Sequence, residues 1–191
     1  MNNNTVESYN RIYKDEPDRW DIHIKLNEER SLIKYIKENY NKDIKIVDLG
    51  CGCGRTIFYL NQSGFNPIGV DFSFEAIELA KKLNPNTIFK KEDITHTEFK
   101  DKEFDLVLSI GTHEHLSQIT FKECHRILKD DGLFCCLLPT QYGDKGWHIS
   151  SPQSEWLYSV KTWTEYLKKD GFNVIDNIGI TYAVLLCEKD D

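Results

Sequence analysis

The sequence predicts an α/β protein built on an open, mostly parallel sheet with helices on both faces. Short apolar runs rich in β-branched residues recur at 44–49, 68–71 and 104–110. Each is too short for a helix and reads as a buried strand. Stretches with apolar residues at helical spacing separate them, so strand and helix alternate along the chain. A third observation marks the functional end of that sheet: the run 44–49 stops at Gly50-Cys51-Gly52-Cys53-Gly54 and a helix resumes at Arg55. A strand, a glycine loop and a helix in that order place a ligand site at the carboxyl end of the strand.

The first 40 residues show no strand pattern. Leu26, Leu32, Ile33, Ile36 and Tyr40 recur at helical spacing, Asp18 to Asp21 offer a helix start, and Tyr9, Tyr13 and Trp20 make the segment aromatic. It reads as a helix covering one sheet face or as a lid over the ligand site. After the glycine loop, Ile57, Phe58 and Leu60 carry a helix, and residues 64–71 form a turn and a second strand ending in Asp71. A helix over 74–82 follows, with Ser73 and Asp71 as rival caps. A short third strand, 87–89, precedes Lys90-Lys91-Glu92-Asp93-Ile94. The fourth, 104–110, runs into Gly111-Thr112-His113-Glu114-His115-Leu116. Residues 121–128 are helical, and a fifth strand, 133–138, is stopped by Pro139. Residues 140–160 break the alternation and hold Tyr142, Trp147, His148, Trp156 and Tyr158. Those aromatics are read two ways, as a private core of the loop or as the wall of a pocket for a flat acceptor. A helix over 164–169 and strands at 171–175 and 181–187 complete the chain.

Length and composition bound the function. A chain of 191 residues, 40% hydrophobic and 29% charged, has the make-up of one ordinary globular domain, expected to span 1–191. Its longest apolar runs fall far short of a membrane span, and the polar opening Met-Asn-Asn-Asn is no signal peptide. With 31 acidic against 24 basic residues the formal charge is −7, which disfavours a phosphate backbone as partner. Six cysteines without a secretion signal are expected as reduced thiols in a cytoplasm. Cys51-x-Cys53 lacks the second pair that a zinc site requires, so no metal is expected.

The glycine spacing narrows the ligand. A dinucleotide loop reads G-x-G-x-x-G, but here the pattern is G-x-G-x-G with Arg55 at the third-glycine position, and no Gly-Lys-Ser/Thr follows. Asp48, immediately before the loop, suits a ligand carrying ammonium or sulfonium charge better than one carrying phosphates. Asp71 falls about 20 residues after the first loop glycine, where a carboxylate can accept from two ribose hydroxyls.

Val47-Asp48-Leu49-Gly50-Cys51-Gly52-Cys53-Gly54 resembles the first motif of the class I S-adenosylmethionine-dependent methyltransferases, of the small-molecule type, and the resemblance runs in order from about residue 44 to 188. It implies a seven-stranded Rossmann-like sheet whose last strand is inserted antiparallel, and S-adenosylmethionine as cofactor. By that resemblance Asp48, Gly50, Cys51, Gly52 and Gly54 approach the cofactor, and Asp71 holds its ribose with Phe72 beside the adenine. Asp93 and Ile94 meet the adenine edge, Ser109 and Ile110 the methionine part, and His115 positions the cofactor or a loop. The segment 1–40 becomes a helical lid and 140–160 an acceptor-side insertion. His113, which departs from the apolar residue often found there, and His148 are the candidates for acceptor chemistry, since histidine titrates near neutrality. The expected partner is a small-molecule methyl acceptor, with no nucleic acid or membrane, in a monomer or homodimer. A cofactor-binding module without turnover and a nicotinamide oxidoreductase are the rival readings; the second is disfavoured by the glycine spacing and by the lack of a Tyr-x-x-x-Lys pair.

Overall fold

The computed structural model describes residues 3–16, 27–140, 147–149, 155–179 and 182–190. Two N-terminal helices, α1 (Asn3–Asp15) and α2 (Asn27–Asn39), lead into β1 (Ile46–Leu49), α3 (Arg55–Gln62), β2 (Ile68–Asp71), α4 (Phe74–Leu83) and β3 (Phe89–Lys91). Then come β4 (Phe104–Ile110), a single 3₁₀ turn (His113–His115), α5 (Lys122–Ile127) and β5 (Leu128–Leu138). The chain continues through β6 (Trp147–Ile149), β7 (Glu155–Leu157), α6 (Val160–Lys169), β8 (Phe172–Asn177) and β9 (Ala183–Lys189).

Seven of the strands form one sheet in the order β3-β2-β1-β4-β5-β9-β8. Pairing is parallel from β3 through β5, while β9 runs antiparallel to both β5 and β8. The order reverses between β2-β1 and β4-β5, and a crevice at that switch point is the usual ligand site of an open α/β sheet.

Strand periodicity divides the core in two. Leu106, Leu108, Leu133, Cys135 and Leu137 pack with Leu32 and Ile36 of α2 and Leu60 of α3. Val107, Phe134, Cys136 and Leu138 pack with α5 and α6 on the other face, around Trp163 and Leu167. Neighbouring Cys135 and Cys136 therefore lie on opposite faces, as alternation requires; all six cysteines are free thiols.

Several boundaries differ from expectation; β5, for one, begins at Leu128 rather than at 133. The segment before β1 supplies two helices, with α1 packed on α4; the expected helix start at Asp18 and the neighbouring Trp20 lie outside the described residues. The third strand is displaced to Phe89–Lys91 because its register with β2, Gly69 to Phe89 and Asp71 to Lys91, carries it to the sheet's ligand end. Helix α6 begins at Val160, where the Ser159 hydroxyl accepts the amide of Thr162 at 3.2 Å. Of the 140–160 segment, β6 and β7 form a two-stranded antiparallel ribbon, and β7 lies beside the 3₁₀ turn.

Candidate functional site

The loop after β1 is anchored from below and gripped from beside. The amides of Gly50 and Cys51 both donate to the Val70 carbonyl, at 2.7 and 2.9 Å, tying the loop to β2. The amide of Gly52 donates to Asp71 Oδ2 at 2.8 Å, and the other Asp71 oxygen accepts the Ser73 amide at 2.9 Å. Ser73 itself caps α4 through Ala76, so Asp71 is not the helix cap but the brace between two cofactor-end loops. The missing side chains of the loop also have structural uses. A Cβ on Gly50 would overlap Thr112, one on Gly54 would stand 2.8 Å from Asn84 Nδ2, and one on Gly52 would stand 2.6 Å from the Tyr13 hydroxyl of α1. Gly52 further adopts φ +52, a left-handed conformation that L side chains resist.

Acids crowd this end of the sheet. Burial, together with Glu29 and Asp71, pushes Asp48 up to about 8, with Arg55 pulling the other way. Its Oδ1 has no hydrogen-bond partner among the described residues. Burial also lifts Asp71, to about 6, against the pull of the amides it accepts. Glu29 of α2 is buried, accepts the Thr56 hydroxyl at 2.6 Å and pairs with Arg55 Nε at 3.0 Å. Arg55, the cation that acts on Asp48 among the described residues, is thus already engaged, and the region favours a positively charged guest. Cys51 is buried and its thiol is held in the protonated form by burial and by Asp71. Among the described residues no group of His, Cys, Asp and Glu could hold a metal ion.

Above the loop opens a cleft of about 330 Å³. Asp48, Gly50, Cys51, Gly52, Ile110 and His115 line it, as do Tyr9 and Tyr13 from α1, Arg55, Thr56, Gly111, Glu114, Leu137, Pro139 and Tyr182. Asp71 and Phe72 stand just behind, Phe72 edge-on to Tyr9 at 5.6 Å between centroids. Gly54 faces α4 instead. Asp93 is exposed and bonds to its own turn, accepting the Thr95 amide and hydroxyl at 2.9 and 2.8 Å, while Ile94 is buried in the core. The Ser109 side chain is fully buried and turned from the cleft, which leaves only its backbone for a ligand.

His113 does not reach the cleft, and the expectation that it serves acceptor chemistry is corrected. Its Nδ1 lies 2.5 Å from Ser109 Oγ, its Nε2 lies 3.6 Å from Cys124 Sγ, and its ring stacks on Phe121 at 4.5 Å. Burial drives it down to about 3, so it stays neutral at working pH. An alternating strand sends Ser109 inward, and the turn after β4 brings His113 back over it; sequence spacing alone did not show that return. The backbone of His148 is in β6 opposite Trp156, but its side chain is outside the described residues. Trp156 and Tyr158 stack on each other, Tyr158 meets Trp163 edge-on at 5.0 Å, and both pack against the main core of that sheet face rather than lining the cleft.

Comparison with known proteins bears on this geometry. The model of a methyltransferase domain matches residues 47–136. An uncharacterized methyltransferase of Synechocystis sp. is 30% identical over 143 residues, 72% of this chain and 66% of that one. The chain belongs to the class I S-adenosylmethionine-dependent methyltransferases. Within that family it is also similar to the protein-lysine N-methyltransferase EFM4 of Saccharomyces cerevisiae, 28% identical over 68% of this chain and 67% of the other. Among solved structures, the Burkholderia thailandensis 1,6-didemethyltoxoflavin-N1-methyltransferase, with bound 1,6-didemethyltoxoflavin and S-adenosylhomocysteine, matches with a TM-score of 0.81. It is 20% identical and the match covers 98% of this chain and 88% of that one, a likeness of fold. The chain spans about half to two thirds of the length of the curated relatives it matches.

The residues fit the family's cofactor. A buried carboxylate oxygen without a partner among the described residues borders the cleft, Arg55 beside it is paired with Glu29, and the loop glycines carry no side chain: these suit a sulfonium nucleoside and would repel a pyrophosphate. Sequence reasoning missed Glu29, Arg55 and Thr56 as one cluster, and Leu137 and Tyr182 as walls. An arginine in a glycine's place was the available signal, since a cation beside an acid-rich loop calls for a counter-charge.

Proposed function

We propose that the protein transfers a methyl group from S-adenosylmethionine to a small-molecule acceptor. The observation that carries this is the cleft at the sheet's switch point, where the partnerless oxygen of buried Asp48 faces the bare Gly50 to Gly54 loop. The bound cofactor would supply a methyl carbon activated by sulfonium charge. Asp48, Gly50, Cys51, Gly52 and Ile110 would hold its amino-acid end, Asp71 and Phe72 its nucleoside, with Asp93 and Ile94 at the adenine edge. Tyr9 and Tyr13, on a lid made by α1, would close the remaining side and offer ring faces and hydroxyls to the reacting centre. Alignment of nucleophile and methyl then accounts for most of the rate, on the order of 7–11 kcal/mol of barrier.

A compact cleft with aromatic and apolar walls, Tyr9, Leu137, Pro139 and Tyr182, favours a small organic acceptor over a lysine on a protein surface. The test is transfer of labelled methyl from S-adenosylmethionine to a panel of phenols, amines, thiols and N-heterocycles, with a lysine-rich protein alongside. Label in a small product supports the reading. Label in protein only, or S-adenosylmethionine binding with no transfer to anything, overturns it.

A further inference from the structure

A second pocket, of about 410 Å³, opens at the amino ends of β2 and β3, at the far end of the sheet from the cofactor cleft. In a chain of which 29% of the residues are charged, none of the described residues lining it carries a charge. Five carry carboxamides instead, Asn61, Gln62, Asn66, Asn84 and Asn86, while Phe58, Pro85 and Ile88 supply apolar surface. Ile88 is exposed, an aliphatic side chain that the fold leaves uncovered at the rim. The polar floor is fixed by its own hydrogen bonds. Asn84 is buried, and its Nδ2 donates to the carbonyls of Gly54 and Ala80 at 3.1 and 3.3 Å, which sets the sense of its amide. Its Oδ1 then accepts Asn61 Nδ2 at 3.0 Å, and Asn61 Nδ2 gives its other hydrogen to Thr87 Oγ1 at 2.9 Å. A carboxamide oxygen accepts, and a threonine hydroxyl both accepts and donates. The network therefore leaves over one acceptor, Asn61 Oδ1, and one donor, the Thr87 hydroxyl, on two side chains that line the pocket and are bonded to each other.

Charge decides the class of guest. Helices α3 and α4 both end at this pocket, in Gln62 and Leu83, so it meets the carbonyl ends of two helices, where partial negative charge gathers. An anion is repelled there, with no cation in the described lining to offset the repulsion, and a cation finds no carboxylate. An uncharged molecule with a donor next to an acceptor pairs with both leftover groups, and the apolar walls take the C–H face of a ring. We propose that this pocket binds an uncharged sugar ring, a monosaccharide or the sugar end of a glycoside. One ring hydroxyl donates to Asn61 Oδ1 and its neighbour accepts from Thr87, while the ring lies against Ile88 and Pro85. Vicinal hydroxyls match this pair in either order, and the carboxamides around the rim offer the further hydrogen bonds that a polyol needs, whereas a nucleobase presents a single flat edge. The site is separate from methyl transfer and stands whether or not the cofactor reading does.

The test is nuclear magnetic resonance of the full chain, following the side-chain amides of Asn61, Asn84 and Asn86. Methyl glycosides of glucose, galactose, mannose and N-acetylglucosamine are added into the millimolar range, with the corresponding sugar phosphates and the uncharged base nicotinamide alongside. At least one glycoside is expected to shift these amides saturably, and its phosphate to bind about tenfold more weakly, against the two helix ends. Thr87→Val should weaken the glycoside by about tenfold, the loss of one hydrogen bond, and Ile88→Ala by about threefold or more, the loss of apolar contact. Thermal unfolding checks that both variants are folded; should Thr87→Val not fold, Ile88→Ala, on an exposed side chain, carries the test. No saturable shift with any glycoside overturns the assignment. So does equal affinity for the phosphates, a response to nicotinamide alone, or folded variants that bind as the natural protein does.

Discussion

At the residue scale, two buried carboxylates do most of the work of defining the site, and their environments separate their roles. Asp71 spends its oxygens on the amides of Gly52 and Ser73, so it organises the loops as well as offering acceptors to a ribose. Replacing it by alanine removes charge-assisted hydrogen bonds, typically about 1.5–3 kcal/mol, so Asp71→Ala is expected to weaken S-adenosylmethionine by at least tenfold in calorimetry. An unchanged dissociation constant would remove Asp71 from the ribose. Asp48 has no such partners for Oδ1, and burial lifts it to about 8. The consequence for stability has a definite sign. Asp48 and Asp71, raised to about 8 and about 6, bind protons in the folded chain at pH values where the unfolded carboxylates have lost theirs. Stability of the ligand-free protein therefore falls as pH rises from about 4 towards 8. A cation in the cleft reverses the preference, so cofactor binding below pH 8 releases a proton. Calorimetry in buffers of different ionisation enthalpy should detect that release, with affinity strengthening by up to about tenfold per pH unit on the way to 8. In Asp48→Asn the proton release above pH 6 should vanish, and the fall in stability should be confined to the range of about 4 to 6 that Asp71 carries.

At the scale of elements, the glycine loop is where helix and strand are brought together, and α1 is the piece that seals it. Tyr13 lies where a Cβ on Gly52 would go, so Gly52→Ala must both accept a positive φ and displace the tyrosine. Expected is a loss of about 1–2 kcal/mol in denaturant unfolding, with a fall in Tyr13 protection from solvent; unchanged stability would mean that α1 does not close on the loop. Helix α6 is held more firmly. Trp163 is fully buried and its indole N–H donates to the Pro139 carbonyl at 2.9 Å, fixing the chain as it leaves β5. Trp163→Ala should cost about 3–5 kcal/mol, read as a lowered denaturant midpoint.

Local pattern made some of these elements legible and left others out. Short apolar runs rich in β-branched residues gave β1, β2 and β4 directly, and Ser73, one of the two rival caps, does cap its helix. The glycines were legible as a close approach, but not what approaches, because Thr112, Asn84 and Tyr13 come from elements 30 or more residues distant. His113 shows the same gap from the other side. A polar residue at a cleft-facing strand end looks catalytic in sequence, yet the turn folds it onto Ser109 and Cys124 in the core. Its neighbour His115 keeps the cleft, and a three-residue turn decides which of the two does so.

At the scale of the whole molecule, the antiparallel insertion of β9 was carried by the family resemblance and not by the residues of the strand itself. The sheet order β3-β2-β1-β4-β5-β9-β8 sets the first strand at the point of reversal, which is why one glycine loop can command the site. Acid crowding then chooses the guest: Glu29 occupies Arg55, Asp48 is left facing the cleft, and no helix among the described residues is long and apolar enough to cross a membrane.

The most direct measurement is calorimetric titration of the protein with S-adenosylmethionine and, separately, with NAD. A saturable one-to-one isotherm for the first, strengthening as pH rises towards 8, and no heat for the second is the predicted result. Binding of NAD with no response to S-adenosylmethionine would contradict it, since a pyrophosphate would then sit where an acid-rich loop is held to welcome a cation.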